Sequence, residues 1–150
     1  MAAKPIPEGF HTVTPYLTVR GAEKVIAFLQ QAFGAQAQEV IHRPDGSIMH
    51  AQVTIGDSRV MIAEESEMAK ATQSTLYLYV PNVDSVYQQA VKAGGTDIME
   101  PTDMFYGDRS SGVKDPSGNS WFLATHKEDV APQEMQKRAI EFYKQQHKAA

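Results

Sequence analysis

Two hexapeptides decide how this chain folds: TPYLTV at 14–19 and TLYLYV at 75–80. They agree at four of six positions, at an offset of 75 − 14 = 61 residues. The agreement continues beyond them. At the same offset Val25 meets Val86, Ala32 meets Ala93 and Gly34 meets Gly95. Similarity carried through a strand, a helix and a glycine stop marks a duplicated unit.

The first copy continues as RGAEKVIAFLQQAFGA. Its apolar residues Ala22, Val25, Ile26, Leu29, Ala32 and Phe33 fall on one helical face. The second reads PNVDSVYQQAVKAGGT, with Val83, Val86, Tyr87, Ala90 and Val91 on one face. Asn82 or Asp84 caps its start, and Gly94 or Gly95 ends it. Each helix precedes three strand-like runs. In the first half these are AQEVIHR, IMHAQVTI and RVMIAE, joined by the turns PDG (44–46) and GDS (56–58). In the second half they are TDIME, SSGVKD and SWFLAT, the last two separated by PSGN (116–119). GDRSSG (107–112) reads as a connecting turn, not a phosphate cradle. Each half is therefore β-α-β-β-β.

Alternation along the strands sorts the side chains by face. Leu17 and Val19 oppose Thr14, Tyr16 and Thr18. Leu76, Leu78 and Val80 oppose Thr75, Tyr77 and Tyr79. Met49, Ala51, Val53 and Ile55 oppose Ile48, His50, Gln52 and Thr54. One face of each sheet is aliphatic and carries the helix. The other is rich in Tyr, Thr, His and Gln, a composition suited to lining a pocket. Two such faces brought together enclose a cup.

The bulk numbers bound the rest. A chain of 150 residues, 42% hydrophobic and 21% charged, is one globular domain or two small units sharing a core. The net charge is −4 and basic residues form no run longer than a pair, so nucleic acid is not an expected partner. There are no cysteines, which removes disulfides and thiolate metal sites. No apolar run is long enough to span a bilayer, and MAAKPIPEGFH is not a signal peptide. The expected location is cytoplasmic. The divisions are an N-terminal arm (1–11), a first module (12–66), a linker (67–73), a second module (74–126) and a helical tail (127–150). In the tail, Pro132 suits a first helical turn, and Met135, Ala139, Phe142 and Tyr143 form a narrow apolar stripe.

A duplicated βαβββ unit resembles the vicinal oxygen chelate superfamily, which includes glyoxalase I, bleomycin-resistance proteins and extradiol dioxygenases. The stretches VTPYLTV, MHAQVTIGDSRVMIAE, LYLYVPNVDSVYQQAVKAGG and FYGDRSSGVKDPSGNSWFLATH look like its PhnB-like branch. They cover about residues 12–126, and DPSGNSWF at 115–122 matches a frequent mark of the last hairpin. The resemblance implies an α+β fold of two tandem βαβββ modules forming a cupped mixed sheet, plus a C-terminal helix. It also implies a homodimer. Metal-dependent members of this superfamily carry His or Glu at four symmetric strand positions. Matching motifs puts these at Thr14, Val60, Thr75 and Phe122, with Ile62 or Glu64 as neighbours of the second. Val and Phe offer no donor atom, so no catalytic metal is expected there.

The expected ligand-binding set is Tyr16, Thr18, His50, Gln52, Tyr77, Tyr79, Tyr106, Arg109 and Phe122. His50 is the candidate general base by titration range. Arg109 either pairs with an anionic ligand group or closes an ion pair with Asp108 or Asp115. Nothing resembles a nucleophile elbow or an S-adenosylmethionine site, which excludes methyl transfer. Three functions remain. The first is a small-molecule-binding protein of the glyoxalase/bleomycin-resistance type, acting by sequestration or by metal-free isomerase or lyase chemistry. The second is a metal-dependent lyase or dioxygenase with a rearranged site around His50 and Glu64, with His42 and His126 as further candidates. The third is a dimeric scaffold whose cup is filled by its own side chains. Whether the cup closes within one chain or across two stays open.

Overall fold

The computed structural model describes residues 2–148. The first module comprises β1 (Tyr16–Val19), α1 (Ala22–Phe33), β2 (Gln36–His42), β3 (Ile48–Ile55) and β4 (Ser58–Glu64). The second comprises β5 (Thr75–Tyr79), α2 (Val83–Lys92), β6 (Thr96–Asp103), β7 (Asp108–Lys114) and β8 (Ser120–His126). A last helix, α3, spans Pro132–His147. Each module forms its own four-stranded sheet, in the orders β1-β4-β3-β2 and β5-β8-β7-β6. In both, the first strand pairs in parallel with the last and the other pairings are antiparallel. The duplication read from the hexapeptides is therefore a duplication of topology. The segment GDRSSG is not a connecting turn, because Asp108–Lys114 pairs along its length with β8.

The aliphatic faces meet in one core. Val19, Ala22, Val25, Leu29, Ala51, Val53 and Ile62 of the first module pack with Ala90, Val113 and Trp121 of the second. Helices α1 and α2 lie against each other, and the Phe33 and Trp121 ring centroids are 5.6 Å apart. Gly95 marks the closest approach: a Cβ there would lie 3.1 Å from the Phe28 ring and 2.8 Å from the Ala90 carbonyl oxygen. The modules are thus joined through their helix-bearing sides. Their polar-aromatic faces lie away from that joint.

Two helix starts use different acceptors. Asn82 caps α2 by accepting from Ser85 N at 3.1 Å. Helix α1 begins at Gly21 without a side-chain cap of its own. Its free N–H groups are met from across the module: Glu64 accepts from Gly21 N at 3.0 Å and from Ala22 N at 2.7 Å.

The turn 115–119 is held by one buried carboxylate. Asp115 Oδ1 accepts from Ser117 N and Asn119 N, and Oδ2 accepts from Asn119 Nδ2 and Trp121 Nε1, all within 3.0 Å. This accounts for the spacing of Asp, Gly, Asn and Trp in that motif. The carboxylate satisfies the only polar atom of a fully buried indole. Helix α3 docks lightly, through the Phe142 ring 5.1 Å from Phe105 and Arg138 on Glu128. None of its described side chains is buried. Among the described residues no helix is long and apolar enough to cross a membrane.

Candidate functional site

On the second module the register assembles one polar face. Tyr77 pairs with Phe122 and Tyr79 with Ala124. Phe122 pairs with Gly112, Ala124 with Ser110, and His126 with Asp108. Paired residues share a face, so all eight project together. Gly112 is required there. A Cβ would come within 2.9 Å of the Phe122 ring, which lies across the glycine.

At one end of this face the polar groups converge on Asp108, which is 4% exposed. Its Oδ2 accepts from Tyr77 Oη at 2.8 Å and Tyr79 Oη at 3.3 Å. Its Oδ1 lies 2.8 Å from His126 Nδ1. Ser110 Oγ lies 2.9 Å from Tyr77 Oη and 3.3 Å from Tyr106 Oη. The far nitrogen of His126 meets Asp129 at 2.8 Å. Burial alone would push the Asp108 carboxyl up, but its His126 and tyrosine donors outweigh burial and hold it below the ordinary value. The hydrogen bonds to Asp108 and Asp129 raise the His126 pKa. Burial, with Asp108 nearby, raises both tyrosines. The cluster therefore favours a carboxylate, two neutral phenols and an imidazolium. It presents donors and acceptors around an aromatic floor.

The first module carries a different face. Tyr16 pairs with Met61, Met61 with Gln52, and Thr18 with Ala63. Tyr16 Oη lies 3.2 Å from His50 Nδ1. Gln52, 8% exposed, bridges two charges: its Nε2 donates to Glu39 at 2.7 Å and its Oε1 accepts from Arg59 at 3.1 Å. The N-terminal arm folds over this side. The arm and the sheet bound a cleft of about 750 Å³ lined by Phe10, Thr14, Gln52, Arg59 and Met61. A larger hollow, about 1080 Å³, lies between the modules along β5, lined by Phe33, Ile55, Leu76, Leu78, Tyr77 and Trp121.

Several sequence expectations are relocated. Val60 is buried and pairs with Val53 on the helix-bearing side. Met61 takes the place expected of it, opposite Tyr16 as Phe122 is opposite Tyr77. Ile62 also lies in the core. Glu64 and His50 do not share a face: Glu64 is bound to the start of α1, while His50 pairs with Tyr16. The rearranged site imagined around them is not assembled. Arg109 is not on the cup face either. It makes a two-bond ion pair with Asp84 of α2, at 2.8 and 2.9 Å, and reaches Asp103 at 3.3 Å, not Asp108 or Asp115. His42 pairs with Ile48 on the sheet's outer strand, β2. Tyr106 does join the cluster, through Ser110.

The four positions matched to metal ligands are thus Thr14, Met61, Thr75 and Phe122. One thioether, one phenyl ring and two neutral hydroxyls do not form a donor set for a hard or borderline divalent ion. Among the described residues no group of three or more His, Asp or Glu side chains is arranged to hold a metal ion. Asp108 and Ser110 were not legible as site residues, and His126 was weighed only as a metal ligand. The β7–β8 register brings them together.

This architecture has known relatives. Residues 9–123 match the family described as the glyoxalase/bleomycin resistance protein/dioxygenase superfamily. The uncharacterized protein Mb0911c of Mycobacterium bovis is 30% identical over 135 residues, covering 83% of this chain and 89% of that protein. Among solved structures, TioX from Micromonospora sp. ML1 is similar with a TM-score of 0.62 and 20% identity, over 76% of this chain and 98% of that one. The PhnB protein of Bacillus cereus is similar with a TM-score of 0.61 and 18% identity, over 77% and 99%. At those identities the structures speak for the fold. With the family match over most of its length, the chain belongs to the glyoxalase/bleomycin resistance protein/dioxygenase superfamily.

Proposed function

We propose that this chain is a small-molecule-binding protein of the glyoxalase and bleomycin-resistance type. It holds its ligand against the polar-aromatic faces, works as a homodimer and does not use the family's catalytic metal. The observation that carries this reading is the openness of those faces in a single chain. Tyr16, Tyr77 and Tyr79 are 52%, 42% and 67% exposed, although each sits on a sheet face built of aromatic and hydrogen-bonding groups. β1 and β5 are the outer strands of two separate sheets, so each leaves an edge unpaired by the other sheet. A second copy related by a twofold axis would set the first-module face of one chain over the second-module face of the other. The donor set at Thr14, Met61, Thr75 and Phe122 supports a metal-free site.

Metal-free proton transfer is a second reading, favoured by the Asp108–His126 pair beside Tyr77. A buried carboxylate behind an imidazole is the arrangement that orients a general acid or base. The test for both is a thermal-shift screen of aromatic and polar compounds on wild type, Tyr77→Phe and His126→Gln, with sedimentation velocity alongside. Ligands whose stabilisation falls in the variants, and a dimer at micromolar protein, are expected. A stable monomer with no responsive ligand overturns the reading.

A further inference from the structure

The cleft under the N-terminal arm contains a guanidinium with an unused edge. Arg20, Arg109 and Arg138 each sit on carboxylates. Arg43 donates to the Glu64 and Glu65 carbonyls. Among the described residues Arg59 has neither. Its Nη1 donates to Gln52 at 3.1 Å, and its carbon lies 4.8 Å from the centre of the Phe10 ring. Its Nε and Nη2, the pair of parallel donors that a carboxylate takes in two bonds, have no acceptor among the described residues.

Three features hold that edge in place. Gln52 is buried, and its other end is tied to Glu39. Glu39 adopts φ +49°, unusual for a residue with a side chain, where the β2–β3 register shifts. Gly9 passes directly over the guanidinium with φ +81°, and a Cβ there would sit 2.9 Å from both Nε and Nη2. The one residue type without a Cβ thus stands where a side chain would cover the donor pair. Pro5, Ile6, Pro7 and Phe10 supply an apolar roof beside it.

We propose that this cleft binds the carboxylate of a small molecule with an apolar body, with the Nε–Nη2 edge of Arg59 as its anchor and the arm as its cover. The proposal rests on reading the module faces as ligand surfaces, and it specifies the chemistry that the first of them selects.

The probe is 3-phenylpropanoate, with 3-phenylpropanol and phenethylamine as neutral and cationic controls, followed by calorimetric titration of the full chain. The acid is expected to bind, and more tightly than either control. Arg59→Gln is expected to weaken it by about tenfold or more, the value of a hydrogen-bonded charge. Arg59→Lys, which keeps the charge and loses the parallel donors, is expected to fall between. Melting curves for both variants show that the fold is retained. Equal affinity for acid and alcohol, an unchanged Kd in Arg59→Gln, or no binding of the acid at roughly 10 mM would overturn the proposal. If the broader screen yields ligands sensitive to Tyr77→Phe but indifferent to Arg59→Gln, this subsite fails while the cup reading stands.

Discussion

Replacing Asp108 by Asn keeps the shape of the second-module cluster and removes its charge. In the wild type the carboxylate takes both tyrosines on Oδ2 and His126 on Oδ1. Asparagine retains one carbonyl oxygen for the phenols and turns an N–H toward a neutral His126 ring. Hydrogen bonds to a charged acceptor contribute ~1.5–3 kcal/mol, against ~0.5–1.5 for neutral ones. Tyr77 keeps Ser110 as a second partner, so the expected net loss is about 1–2 kcal/mol. The pH dependence has a definite sign. His126 is raised above its ordinary 6.5 by Asp108 and Asp129, so its contribution is complete below that value and fades as pH rises through the folded one. Asp108 is held below its ordinary 3.8, so its contribution is present above that value and lost as pH falls through the folded one. The gap between wild type and Asp108→Asn should therefore be widest from about pH 4 to 6.5. Urea denaturation at pH 5.5 and pH 9 measures it. A gap below ~0.5 kcal/mol at pH 5.5, or one that grows toward pH 9, would refute the assigned network.

Three more outcomes separate structural from binding roles. Asp115→Ala strips the partners of a buried indole N–H, a buried amide and two backbone N–H groups, and should cost about 3–5 kcal/mol in chemical denaturation. A loss under ~1 kcal/mol would mean the motif is held some other way. Glu64→Gln removes the charge at the start of α1 and should cost ~0.5–1 kcal/mol while leaving ligand affinity unchanged. Altered affinity would return Glu64 to the site. Arg109→Gln should leave ligand affinity unchanged in calorimetric titration, because Asp84 and Asp103 already hold the guanidinium on the α2 side. A marked weakening would show that it reaches the ligand.

The repeat made the modules legible, because strand alternation and helical periodicity each survive on one chain. Tyr16, Tyr77 and Tyr79 were placed on the correct face by alternation alone. The β4 segment VMIA defeated the same method. Four apolar residues in a row carry no period, and the motif match falls on Val60, with Ile62 or Glu64 beside it, one residue out of step with Met61. The duplication itself held the answer: 122 − 61 = 61, which carries Phe122 to Met61, and the β1–β4 and β5–β8 registers agree. Asp108 and Ser110 were hidden for a different reason. A GDRSSG segment looks like a turn locally, and only pairing with β8 extends it into a strand. Arg109 then falls on the opposite face from Asp108, which the turn reading could not indicate. The arm's contact with Arg59, through Phe10, joins residues 59 − 10 = 49 positions apart and has no periodic signal at all.

The central claim is that a ligand-binding cup operates here without a divalent ion at Thr14, Met61, Thr75 and Phe122. Elemental analysis of the desalted, untagged protein after exposure to nickel, cobalt, manganese and zinc tests it most directly. The account predicts retained metal far below one ion per chain. Near-stoichiometric retention that survives desalting would contradict it.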